Sequence, residues 1–443
     1  MLDRRNTVNK TKMLIIVILS CLMFFGFITT LMDNGEEERQ MYVNAMEQGK
    51  AYEEKGLYQL AIKEYKIALS VQDSKELRTK ILDVYSQRYK ESRTIYEDYV
   101  SDAVSAVNAY SSIPEYYSVL ANLYIDNGDY KAAYKCLDNA ILEGVRSEEI
   151  EVLYKKVKYS FVTEWYTYTE ILSLTNGLYA VMDDNKWGYV DENGVNKLDR
   201  EYSLATQVGD EGVRVLISDE VLLVDSDEVI RGKLSFTPKE TGIYSEGLIA
   251  ISDGKSYGYY NSCGEHQFGK YTEASNFSDG KAAVKGKTWM IINSKGENLT
   301  KNSYQDIKFN VDGSYLYNNI MLAKVNGKYK LFNQKEEPIS TFECDDIDVV
   351  TSDGLIAFKS NGKWGFVDTT GKVVIEPKYE EAKSFSNGMA AVCKNNKWGF
   401  IDTSGELVVD YQFIDVDYFN SERNCFVKTT VDDWQLICMN IKL

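Results

Sequence analysis

Gly354-Leu-Ile-Ala-Phe-Lys-Ser-Asn-Gly-Lys-Trp364-Gly365-Phe-Val-Asp368-Thr-Thr-Gly371 and Gly388-Met-Ala-Ala-Val-Cys-Lys-Asn-Asn-Lys-Trp398-Gly399-Phe-Ile-Asp402-Thr-Ser-Gly405 are two copies of one unit. An earlier copy surrounds Trp187-Gly188 and ends at Asp191-Glu-Asn-Gly194. A fixed period is the signature of a repeat array, and such arrays serve as binding surfaces more often than as pockets for chemistry. Aligning on the aromatic of Lys-Trp-Gly gives eight anchors: Trp187, Leu222, Tyr257, Trp289, Tyr329, Trp364, Trp398 and Trp434. Trp-Gly persists at Gly188, Gly365 and Gly399, and Tyr257 is followed by Gly258.

Each unit reads as short strands. Leu355 to Lys359 and Trp364 to Val367 flank Asn361-Gly362, a strong signal for a tight hairpin of the primed type. Asp184-Asn185, Asn326-Gly327 and Asn395-Asn396 hold the same place elsewhere. Asp368-x-x-Gly371 forms the next turn, its carboxylate capping backbone amides. A third strand runs from Val373 to Tyr379, and a short fourth lies near Ala382 to Phe385. Gly365 and Gly399 mark places where a neighbouring backbone passes close by.

This pattern closely resembles the WG-repeat, or KWG-repeat, family over about 165–443. The resemblance implies architecture and carries over no catalytic residue. The last copy lacks its third strand, and Val162 to Tyr166, just before the first copy, could supply it. A ring closed by strands from both ends removes open sheet edges. The expected fold is therefore a propeller-like closed array, with an open β-solenoid as the alternative. Repetition of the anchor rings at one strand position suits packing between units better than a platform for sugars.

Between Tyr42 and Ser160 apolar residues recur at helical spacing. Gly49, Tyr52, Gly56, Tyr58, Ala61, Tyr65 and Ala68 match Ala121, Tyr124, Gly128, Tyr130, Ala133, Leu137 and Ala140 in order. The two stretches resemble the tetratricopeptide repeat. Residues 77–110 read as a longer, divergent helix pair, and Glu148 to Phe161 as a closing helix.

Met13 to Met32 carries no charge and no proline. As a helix it rises about 30 Å, one bilayer crossing. Arg4, Arg5, Lys10 and Lys12 precede it, and Asp33 and Glu36 to Glu38 follow. Positive-inside reasoning places the N-terminus in the cytoplasm and the remainder outside, in the cell membrane of a bacterium. A cleaved signal peptide would have a shorter core and a small-residue site. A lipoprotein signal at Cys21 would be followed by polar residues. The organisation expected is a basic tail 1–12, a transmembrane helix 13–32, a linker 33–41, a helical domain 42–161 and a β domain 162–443.

The chain of 443 residues has a formal charge of −17, 33 Tyr, four Pro and one His. That charge opposes nucleic-acid binding, which needs a cationic face. With His266 alone, no His-based triad or multi-His metal site can be built. The turns at Asp191, Asp368 and Asp402 lack the dense carboxylates of calcium loops. No phosphate loop or nucleophile elbow is present. Seven scattered Cys include no Cys-x-x-Cys pair, which opposes a zinc ribbon. Cys425 and Cys438 lie at equal distances from a turn at Val431-Asp432, which would set them face to face across a hairpin. The expectation is a non-enzymatic scaffold without cofactor or metal, facing a protein partner; the alternative is a receptor for cell-wall glycan.

Overall fold

The computed structural model describes residues 35–442. The transmembrane helix expected at 13–32 and the basic tail 1–12 lie outside the described residues. Among the described residues no helix is long and apolar enough to cross a membrane. The chain divides into two compact units, 1–158 and 159–443.

The first unit contains seven helices among its described residues. They are α1 (35–54), α2 (Tyr58–Val71), α3 (Lys75–Glu91), α4 (Tyr96–Ala109), α5 (Pro114–Asp126), α6 (Tyr130–Leu142) and α7 (Glu148–Lys158). They pair as tetratricopeptide-like hairpins. Gly56 and Gly128 take positive φ, 71° and 78°, at the turns that end α1 and α5; glycine adopts this conformation without a Cβ penalty. Small residues then let the helices close up. A Cβ on Gly49 would lie 2.7 Å from the Tyr65 ring, and Ala61, Ala68, Ala133 and Ala140 are fully buried. The divergent middle pair keeps the same logic: Val84, Tyr85, Ala103 and Ala106 are buried, and Tyr85 stacks on Tyr99 at 5.1 Å. Two expected boundaries move. Residues 35–41, read as linker, are already helical, as suits a run of Glu and Gln. The closing helix ends at Lys158, and Phe161 begins a strand.

The second unit is an eight-bladed propeller. Blades 1 to 7 follow in chain order from Glu170, each a small antiparallel sheet; blade 6, for example, pairs Asp346–Ile347, Leu355–Ser360, Lys363–Asp368 and Val373–Tyr379 in sequence. Blade 8 joins both ends of the unit. Asp415–Val416, Asn424–Lys428 and Trp434–Met439 are completed by β1 (Phe161–Tyr168), with Phe161 opposite Met439 and Tyr168 opposite Trp434. Apolar clusters fill all eight interfaces between consecutive blades. The closing one brings Tyr168, Phe426 and Leu436 of blade 8 against Tyr179, Val181 and Val190 of blade 1. The ring is closed, and the open solenoid is excluded.

The hairpin turns are those the sequence demands. Asn361 and Gly362 have φ of 51° and 78°, and Asn395 and Asn396 have 53° and 58°, the two left-handed residues of a primed turn. The Asp turns cap as expected: Asp368 Oδ1 accepts from the amides of Thr370 (2.9 Å) and Lys372 (3.0 Å), and Asp191 and Asp402 accept likewise.

The cysteine hairpin needs correction. Asn424 pairs with Cys438 and Cys425 with Ile437. The loop is centred on Val431 alone, because Lys428 pairs with Trp434. A one-residue offset sends neighbouring side chains to opposite faces, and both cysteines are free thiols.

Candidate functional site

The anchor residues divide by burial. Trp289, Tyr329 and Trp398 are buried, while Trp187, Tyr257, Trp364 and Trp434 are half-buried. A lysine lies over many of these rings: Lys285 over Trp289, Lys324 over Tyr329, Lys359 over Trp364 and Lys428 over Trp434, at 5.1–6.0 Å from the centroids. These four lysines sit directly across the strand pair from their rings, which sets each ammonium for a cation–π contact.

Leu222 is not the anchor of blade 2. In blades 1, 3, 6 and 7 the anchor lies four residues before the capping Asp or Asn and opposes the last residue of the fourth strand. In blade 2 the cap is Asp225, and Ile217 and Leu234 both pair with Val221. Val221 is therefore the anchor. The slip arises because this hairpin turns through Ser218-Asp219-Glu220, one residue more than the Asn-Gly turns.

Two residues beyond each anchor lies the deeper position. Tyr189, Leu223, Tyr259, Ile291, Leu331, Phe366, Phe400 and Leu436 are all at most 2% exposed. Burying such a side chain contributes about 1.5–3 kcal/mol. Where it is tyrosine, its hydroxyl reaches the next blade: Tyr189 donates to Thr206 O at 2.6 Å and Tyr259 to Ser275 O at 2.8 Å. Between anchor and core residue, a Cβ on Gly188, Gly365 or Gly399 would lie 2.5–2.6 Å from a carbonyl oxygen of the fourth strand.

In each blade the connection from first to second strand and the turn from third to fourth lie at the same end, since successive strands are antiparallel. At that end of the propeller is a central cavity of about 260 Å³. Its lining includes Ser173, Tyr179, Asp312, Ser352, Asn387 and Asp417, drawn from blades 1, 5, 6, 7 and 8. Hydrogen bonds cross between non-adjacent blades. Gln207 Nε2 donates to Val311 O at 3.2 Å, and the Tyr418 hydroxyl donates to Asp348 Oδ2 at 2.8 Å. Ser173 Oγ donates to Asp417 Oδ1 at 2.9 Å. Burial pushes the Asp417 carboxyl above the usual carboxylate range, with Lys383 opposing. Among the described residues the fully buried Tyr179 hydroxyl has no hydrogen-bond partner; the Asn420 side chain is near it but outside hydrogen-bond geometry. The sequence reading missed this cavity. A polar residue stands directly after the short first strand in six blades, Thr206, Ser275, Lys308, Asp348, Lys383 and Asp417, and of these Asp417 lines the cavity.

The helical unit has its own groove, about 840 Å³, between α1 and α3. Tyr42, Met46, Lys50 and Glu54 line one wall, and Glu76 and Lys80 belong to the other. Lys80 Nζ donates to Glu53 Oε1 at 2.7 Å and the Tyr65 hydroxyl to Glu53 Oε2 at 2.8 Å, so Glu53 ties the floor together. Burial and the Glu53 carboxylate raise the Tyr65 pKa, keeping the phenol protonated.

The family model for the WG containing repeat matches residues 166–187, 331–364, 364–398 and 398–428. These spans fall in the propeller and include the anchors Trp187, Trp364 and Trp398. Among solved structures, the second TPR domain of the human RPAP3 protein, in complex with an HSP70 peptide, is 15% identical. That likeness covers 28% of this chain and 99% of that one, with a TM-score of 0.23. The Sgt2 TPR domain from Aspergillus fumigatus is 22% identical over 26% of this chain and 76% of that one, with a TM-score of 0.22. A eukaryotic initiation factor is 12% identical over 58% and 79%, with a TM-score of 0.41. No curated protein matches the chain.

Proposed function

We propose that the chain is a non-enzymatic interaction scaffold, anchored in the cell membrane by residues 13–32. In this reading the N-terminus is cytoplasmic, and the helical unit and propeller face a protein partner outside a bacterial cell. The observation that carries the reading is where the repeated residues are spent. The core position of every blade is consumed in packing, and concave surfaces remain open to a partner, among them the groove between α1 and α3 and the propeller cavity. The charge step across Met13 to Met32 supports the orientation.

The test is photo-crosslinking in the native membrane, with a reactive amino acid at Met46 in the groove or Ser352 at the cavity. A discrete protein adduct at either position is expected. Absence of adducts at both, with the protein folded and present, sinks the scaffold reading. Protease added to cells stripped of outer wall should digest residues 33–443; full protection refutes the orientation.

One observation favours a cell-wall glycan as the alternative ligand. Trp165 and Tyr166 on β1 are 73% and 47% exposed, with no lysine over either ring among the described contacts. If this reading holds, Trp165→Ala abolishes retention on cell-wall glycan and leaves protein adducts unchanged.

A further inference from the structure

The charge of the propeller is unevenly placed. Asp210, Glu246, Asp279 and Asp312 lie in the connections from first to second strand of blades 2 to 5, all exposed. None takes part in an ion pair among the described residues. Their hydrogen bonds are to neutral groups: Asp210 accepts from the Glu246 amide and Glu246 from the Gly280 amide, each at 2.9 Å. Amides hold the carboxylates in place without cancelling their charge. The central cavity opens at this same end, with Asp312 on its edge and Asp417 within. Acidic connections beside a low-dielectric cleft direct a negative field into it, which Lys383, near Asp417, offsets only on the blade 7 side.

Inside, two polar groups are under-used. Asp417 is buried, and the one side-chain hydrogen bond to its carboxylate comes from Ser173. The Tyr179 hydroxyl is fully buried and, among the described residues, without a hydrogen-bond partner, close to Asp417 and Asn420. A buried hydroxyl without a partner forfeits its hydration for nothing. The two together can accept N–H groups from a cation. A metal ion would need several converging oxygen ligands, and among the described residues no three His, Cys, Asp or Glu converge in that way. An ammonium or guanidinium at the end of a long side chain fits the donor and acceptor count, and the acidic rim fits the rest of a basic segment.

We infer that the acidic end of the propeller takes a basic peptide segment of a protein partner, with one lysine or arginine side chain seated in the central cavity between Asp417 and Tyr179. This rests on the scaffold reading and specifies the partner's chemistry.

The test uses the purified full chain and short fluorescent peptides of equal length, rich in Lys, Arg, Gln or Glu, followed by anisotropy at low and high salt. The Lys and Arg peptides bind, the Gln and Glu peptides do not, and high salt weakens binding by screening the rim. Asp417→Asn, which keeps the shape, weakens the basic peptides roughly tenfold. Tyr179→Phe weakens them severalfold without lowering the melting temperature, since the lost hydroxyl had no partner; a purely structural tyrosine would show the reverse. If Asp417→Asn fails to fold, Tyr179→Phe and Ser173→Ala read the cavity instead. Equal binding by the Gln peptide overturns the inference. So does wild-type affinity in both Asp417→Asn and Tyr179→Phe, which would reduce the effect to rim charge alone. Butylammonium that binds as tightly as the peptides also overturns it, in favour of a small amine. Should basic peptides fail while protein adducts still form at Met46, this inference falls and the scaffold reading stands.

Discussion

Blades 1, 3, 6 and 7 keep a glycine after the anchor, and blades 2, 4, 5 and 8 do not. The difference follows the fourth strand. In blades 6 and 7 that strand bulges over the glycine: Trp364 pairs with Tyr379 but Phe366 with Ile375, and Trp398 with Phe413 but Phe400 with Val409. Blade 1 shows the same jump, and blade 3 a shorter one, Tyr257 pairing with Tyr271 but Tyr259 with Phe268. In blade 2, Leu222 pairs regularly with Lys233. In blades 4 and 5 the fourth strand is reduced to isolated bridges. In blade 8, Gln435 pairs with Thr167, and the bulge falls one residue on, over Leu436. Glycine thus answers a bulge in the neighbouring strand, whereas the buried residue after it answers the ring itself and is present in every blade.

That contrast can be broken by mutation. The largest loss is expected at the position all blades share: Phe400→Ala should cost about 3–5 kcal/mol in denaturant unfolding. A smaller cost would mean the core sits elsewhere. Gly399→Ala places a methyl against Val409 O and should cost about 2–3 kcal/mol, while Gln435→Ala, with no bulge above it, should stay within about 0.5 kcal/mol. Equal effects at the two sites would refute the link between glycine and bulge. Trp364→Ala should cost only about 1–2 kcal/mol, because that ring is half in solvent; a loss matching Phe400→Ala would restore the anchor as the principal core residue.

The smallest effect separates the cavity from the blades by pH. Burial raises the Asp417 carboxyl, so its contribution to stability is full in acid and is lost as pH rises through its folded-state titration. The groups around it are Ser173, Lys383, Asp415, Tyr418, Tyr179 and Cys425. Asp417→Asn should therefore melt at or above the parent at neutral pH, with the gap closing in acid. A variant that is less stable only at neutral pH would show that the charged carboxylate is needed by the fold.

Much of this architecture was legible because local chemistry decides it. Asn361-Gly362 forces a primed turn, Asp368 caps its own loop, and a spare strand at Val162 to Tyr166 answers a missing one after Trp434. What failed was register. The three-residue turn of blade 2 moves the anchor from Leu222 to Val221, and a turn centred on Val431 leaves Cys425 one residue out of register with Cys438. Period-two structure converts such slips into the wrong face. The cavity was illegible for another reason: Asp417, Tyr179 and Asp312 come from blades 8, 1 and 5, and only closure of the ring brings them together.

Closure also sets a timetable. Phe161 is made long before its partner Met439, and at ribosomal speed the interval is on the order of tens of seconds. Throughout synthesis β1 is an unpaired edge carrying Trp165 and Tyr166, the kind of segment that invites pairing with other chains. Meanwhile each new blade can fold onto the last, so the distance the two ends must finally span shrinks as the arc grows. The nascent chain is exposed to misassembly until Trp434–Met439 emerge, and a ribosome stalled before Trp434 would release a propeller with its first strand still waiting.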